Sequence, residues 1–127
     1  MNVKRDTKEK FVVITVNEPH ISANLSEELV RTIHETAELP PHNVILNLAG
    51  VAQMDREAAD ALVVTRQELY VQERSFVVCA LQPAVMDAVT GWELEEALNV
   101  TPTESEAWDI VQMDEIEREF LRDEGEE

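Results

Sequence analysis

Three short apolar runs constrain this chain more than anything else in it: Phe11–Val16 (FVVITV), Asn43–Leu48 (NVILNL) and Ser75–Leu81 (SFVVCAL). They are rich in β-branched residues, and turn-prone residues bound them, as at Asn17-Glu18-Pro19 and Ala49-Gly50. Each reads as a strand. The Val-Ile-Leu run of the second hardly alternates, as expected of a strand covered on both faces. The stretches between the runs carry helical apolar spacing. Strands alternating with helices imply a sheet with parallel neighbours and helical cover.

The first helix is expected over Leu25–Leu39, with Leu25, Leu29 and Ile33 on its apolar face and Pro40-Pro41 as its stop. Asn24 and Glu27 have the spacing of a capping box. A short strand is expected at Ile21–Ala23. A second helix starts near Asp55 and runs to about Glu73, with Ala58, Ala61, Leu62, Thr65 and Leu69 on one face and Arg66 at its border. Pro83 suits a first helical turn, and the short helix it opens ends near Gly91. Val100–Thr101 reads as a brief last strand. Thr103 and Glu106 repeat the capping-box spacing before a closing helix with Ile110, Met113, Ile116 and Phe120 on one side. The tail beyond Leu121 (RDEGEE) is expected to be frayed and solvated. The 127 residues suffice for one domain, with a core over about 11–113 and an acidic helix and tail over 114–127.

Charge excludes several functions. The net charge is −17, and Glu93–Glu127 holds fourteen acids against two arginines, a net of −12. Nucleic-acid binding needs Lys and Arg to displace counterions, and anionic membrane surfaces repel such a chain. No stretch approaches the ~20 apolar residues of a membrane span. Phe11–Val16 is shorter than the ~7–15 residues of a signal-peptide core, so a cytoplasmic protein is expected. The lone Cys79 lies in an apolar run and reads as a buried thiol. His20, His34 and His42 have no ligand spacing, so no metal is expected. Three glycines cannot form a phosphate loop, and no nucleophile elbow occurs, so neither cofactor nor catalytic residue is assigned. Trp92 and Trp108 read as core or edge packing.

The informative segment is Val44–Leu62: a buried strand, a short loop, then Met54-Asp55 and a helix start. It resembles the central motif of STAS domains, the fold of bacterial anti-sigma factor antagonists. In that family the loop reads roughly Met-Asp-Ser-Ser-Gly-Leu, and a kinase phosphorylates the second serine. Phe76–Val85 is similar to the family's following strand and helix start, and Thr90–Thr101 and Glu104–Val111 resemble its closing strand and helix. The resemblance covers Phe11–Val111. It implies an α/β fold with a central mixed sheet of about four to five strands and about four helices, in a single layer mainly on one face. It also implies a non-enzymatic regulatory domain that binds a protein partner, an anti-sigma factor or a histidine-kinase-like ATPase. The expected partner-binding residues are Asp55, Arg56, Glu57 and Ala58.

Several positions depart from the family pattern. Arg56 takes the first serine position, Glu57 the phosphorylated serine position and Ala58 the glycine position. Ser22 and Asn47 stand where the family often has Asp. The usual phosphorylation is therefore not expected. Glu57 has two readings. A phosphoserine carries about −1.5 to −2 charges, so one carboxylate is a partial, permanent mimic of the phosphorylated state. Alternatively, Asp55 and Glu57 only supply helix N-terminal charge. A STAS-like accessory subunit of an ABC-type lipid-transport complex is a second functional reading, and a small nucleotide-binding enzyme a third.

Overall fold

The computed structural model describes residues 1–125. The three apolar runs form the centre of one sheet: β2 (Val12–Val16), β4 (Val44–Asn47) and β6 (Phe76–Cys79) lie parallel, with Val12, Val44 and Phe76 in register. β7 (Val100–Thr101) extends the parallel edge beside β6. β1 (Val3–Thr7) pairs antiparallel with β2 on the other side, giving the order β1-β2-β4-β6-β7. A two-stranded ribbon stands apart, β3 (His20–Ile21) parallel to β5 (Gln53–Met54).

The pleat sends alternate residues to opposite faces, and each face has its own core. Ile14, Val16, Val44, Leu46, Phe76 and Val78 meet α1 (Ala23–Glu38), α2 (Arg56–Val71), α3 (Pro83–Gly91) and α4 (Glu95–Leu98). Phe11, Val13, Ile45, Val77 and Cys79 meet Ala107 and Val111 of α5 (Glu104–Gly125). The strands do not alternate in polarity because both faces are covered. Four helices thus lie on one face, and a fifth covers the other. Burying one such large apolar side chain contributes about 1.5–3 kcal/mol.

Several local features differ from expectation. β1 is the strand hidden in the charged N-terminus: four of its five residues are exposed, so solvent tolerates its Lys, Arg and Asp. α1 starts at Ala23, and its cap is Ser22, whose hydroxyl accepts from the Leu25 N–H at 3.2 Å; Asn24 lies inside the helix and is no cap. Thr103 does cap its helix, accepting from the Glu106 N–H at 3.2 Å. Arg66 donates to the carbonyls of Glu96 and Ala97 at 2.9 and 3.0 Å and so closes the end of α4, which was not expected. α5 continues through Arg122 to Gly125 rather than fraying after Leu121; Glu126 and Glu127 lie outside the described residues.

The largest correction concerns the face of α5. Met113, Ile116 and Phe120 point to solvent. The lower half of the helix is held by polar groups instead. Ser75 Oγ donates to Asp114 Oδ2 at 2.7 Å and accepts from Arg118 at 2.9 Å. Asn43, 2 % exposed, donates to Glu115 at 2.7 Å and to the Lys10 carbonyl at 2.9 Å, and accepts from the Ser75 N–H at 2.8 Å. Arg118 stands 3.5 Å from Glu115, completing the network.

Arg118→Ala should lower the unfolding free energy in urea by roughly 1–3 kcal/mol, the cost of stranding partly buried hydrogen-bonding groups. Amide exchange in α5 beyond Asp114 should accelerate with it. Phe120→Ser should leave the urea midpoint unchanged, because Phe120 is 61 % exposed. The opposite ranking would refute this account of how α5 is held.

Candidate functional site

The first turn of α2 is built by the β3–β5 ribbon. The Ala52 and Gln53 N–H groups both reach the Pro19 carbonyl, at 2.9 and 3.0 Å, and the Asp55 N–H reaches the Ile21 carbonyl at 3.0 Å. Met54 anchors the segment in the core. The preceding loop passes close to the main sheet: a Cβ on Gly50 would stand 3.0 Å from the Val16 carbonyl oxygen, so a larger residue would force a shift. Gln82 donates to the Ala49 carbonyl at 2.8 Å and ties this loop to the start of α3. Asn47 accepts from the Ala49 N–H at 2.9 Å and donates to Glu104 at 3.3 Å.

Asp55 occupies the N-cap position of α2, yet its side chain does not cap that helix. It reaches across to α1. Oδ2 accepts from the Ala23 N–H at 3.3 Å, and Oδ1 lies 2.7 Å from His20 Nε2. An ionised carboxylate only accepts hydrogen bonds, so Nε2 is the donor. Two helix N-termini meet here, each with unpaired N–H groups and a positive dipole end. One carboxylate stands between them. The hydrogen bond from His20 is the main cause that holds the Asp55 carboxyl below its ordinary value; desolvation opposes it, and the Ala23 N–H and the His20 charge add smaller lowering effects. The expected capping role of Asp55 is thus replaced by a bridge. Its two partners lie more than thirty residues away in sequence, and no local pattern announced them.

Arg56 and Glu57 both face solvent in the first turn of α2. Arg56 lies 4.0 Å from Asp60, an exposed pair of little energetic weight. Among the described residues Glu57 has no ion-pair partner. Ala58 is fully buried and packs the turn onto the core, so its side chain presents nothing to a partner. The site is therefore a small charged surface of His20, Asp55, Arg56 and Glu57, supported from beneath by Met54 and Ala58.

Cys79 is fully buried, and desolvation, reinforced by the Glu104 carboxylate, pushes its thiol up to about 12. Such a thiol is inert near neutral pH. Among the described residues no three His, Cys, Asp or Glu side chains converge as a metal site, and no helix is long and apolar enough to cross a membrane.

Because the folded protein depresses the Asp55 pKa, the unfolded chain takes up that proton first. The bridge's stabilisation is complete above the ordinary carboxylate range and is lost as pH falls through the depressed value. Carbon-detected NMR titration should place the Asp55 carboxyl below that range. His20→Ala should move it back up, since the hydrogen bond from His20 is the main cause. An unmoved titration would refute the bridge.

A sequence profile described as "STAS domain" matches residues 2–107. No curated protein sequence matches. Among solved structures, an anti-sigma factor antagonist from Mycobacterium paratuberculosis superposes with a TM-score of 0.75 at 20 % identity, covering 87 % of this chain and 93 % of that one. The anti-sigma factor antagonist SpoIIAA in its unphosphorylated form gives 0.69 at 18 % identity, covering 87 % and 96 %. The murine anion transporter Slc26a9 gives 0.70 at 16 % identity; the match covers 85 % of this chain but only 18 % of the transporter. These likenesses concern the fold. The profile match spans most of the chain, β1 included, and with a five-stranded mixed sheet under helices on both faces it identifies this protein as a member of the STAS domain family.

Proposed function

We propose that this STAS domain is a non-enzymatic, cytoplasmic regulatory protein that docks a protein partner through the first turn of α2, in the manner of an anti-sigma factor antagonist. One observation carries the reading. Glu57 stands exposed on a helix N-terminus that the β3–β5 ribbon and the Asp55 bridge hold in place, and the resemblance to the family motif puts this residue where that motif has a phosphorylatable serine. Asp55 positions the turn, and Arg56 and Glu57 are the charged contacts.

Glutamate carries a single charge on a planar group, and no kinase or phosphatase can add or remove it. On this reading the turn is fixed in a partly phosphate-like state. A partner that binds only the neutral serine form is excluded, and one that accepts an anion there is retained. Candidate partners are an anti-sigma factor or a histidine-kinase-like ATPase. The Slc26a9 likeness, a STAS-type fold within a transporter chain, keeps a transporter-associated role as the second reading.

Affinity capture from the native cell with the full chain tests the surface. Arg56→Ala and Glu57→Ser should each reduce recovery of the wild-type partner by roughly tenfold, the scale of a charged contact at an interface centre. Both residues are exposed, so thermal stability should be unchanged. Full recovery with both variants would refute docking at this turn. Co-purification of an ABC-type ATPase would favour the transport reading instead.

A further inference from the structure

α5 turns its large apolar side chains outward. Met113, Ile116 and Phe120 are 60, 65 and 61 % exposed. Their spacing of three and four residues aligns them in one stripe on the helix. Ala107 and Val111, on the opposite side of the helix, are fully buried. Nothing else among the described residues needs the stripe, because Asp114, Glu115 and Arg118 already hold this half of α5 to the sheet.

The rim of the stripe indicates what covers it. Glu106, Asp109, Glu117 and Glu119 are all exposed along this half of the helix surface. Among the described residues none of the four takes part in an ion pair. A second copy would set acid against acid in a chain of net charge −17. An anionic lipid surface would be repelled for the same reason. A basic amphipathic helix meets both demands: apolar residues cover the stripe, and flanking Lys or Arg pair with the rim.

We propose that the Met113–Ile116–Phe120 stripe of α5 docks a basic amphipathic helix of a partner protein, at a surface separate from the α2 turn. The topology keeps the two apart. α2 and α5 cover opposite faces of the sheet. α2 begins beyond the C-terminal end of β4, whereas Asp114 and Arg118 reach Asn43 and Ser75, just before the N-terminal ends of β4 and β6. Both surfaces can be occupied at once.

The test titrates the isotope-labelled full chain with a synthetic Leu/Lys amphipathic peptide, and with a Leu/Glu peptide of identical apolar spacing. Amide shifts should change along α5 and not at the α2 turn, and binding should weaken with salt. The charge-neutral variant Met113→Ser/Ile116→Ser/Phe120→Ser should weaken binding roughly tenfold or more. Glu117→Gln/Glu119→Gln should weaken it several-fold, whereas Glu27→Gln/Glu35→Gln on α1, with the same change of charge, should not. The proposal is overturned if the Leu/Lys peptide does not bind, if shifts map away from α5, or if the Leu/Glu peptide binds as tightly. Unchanged binding by the apolar variant would overturn it too. So would a wild-type dimer that this variant disperses, since a second copy would then own the stripe. Shift mapping on the wild-type chain needs no variant and decides the site even if a variant fails to fold.

Discussion

Two-sided burial of the central strands is the constraint on which the rest of the structure depends. Ile45 and Val77 point one way and Val44, Leu46, Phe76 and Val78 the other, and all are essentially inaccessible to water. A parallel sheet of this kind holds only while both faces are covered. α1 to α4 cover one face and α5 the other, so α5 is part of the minimal fold and no appendage. The same requirement places the start of α2 beyond the end of β4, where a loop leaving the sheet must turn back to cover it. The candidate docking turn sits there because of topology before any question of chemistry.

At that turn, electrostatics does what packing cannot. Two helix N-termini brought side by side place like partial charges together. The Asp55 carboxylate lies between them and accepts from the first N–H of α1, while its own backbone carbonyl accepts the Ala58 and Ala59 N–H groups of α2. The negative charge at Asp55 is thus engaged in joining the helices, whereas the Glu57 carboxylate, two residues on in the first turn of α2, is exposed and has no ion-pair partner among the described residues. Two acids that looked equivalent as capping residues in the sequence have different jobs in the structure.

Much of the fold was legible because its signals are local. The three apolar runs, Pro83 at the start of α3, Thr103 as a cap and the Met54-Asp55 helix start each depend on a few adjacent residues. What escaped depends on partners distant in sequence. β1 is a strand only because β2 offers an edge to pair with, and its charged residues hid it. Asn24 and Ser22 are about equally good caps in isolation, but the Asp55 carboxylate accepts the Ala23 N–H and holds the helix start two residues earlier than expected. α5 misled for a third reason. Apolar spacing selects the core face only if the core side is apolar, and here a serine and an asparagine at the strand ends recruit Asp114, Glu115 and Arg118 inward. His20 had no pattern at all, since its role is set by a carboxylate thirty-five positions away.

A fixed charge at the α2 turn changes what regulation of this domain can consist of. A serine turn can be switched covalently, by a charge change of about −1.5 to −2 that reorders local hydrogen bonds. A glutamate turn cannot, so on the proposed reading its affinity for a partner is constant at a given pH and ionic strength. On that reading, control at this turn comes from mass action: how much partner is present, and what else competes for the turn. A surface on the far side of the sheet matters in that setting. Two binding sites on one rigid body raise the effective concentration of the second contact for a partner that carries both ligands on one chain or complex, without any conformational change, provided both fit at once. Opposite faces and opposite ends of the sheet satisfy that geometric condition, and the two-sided core that separates them supplies the rigidity.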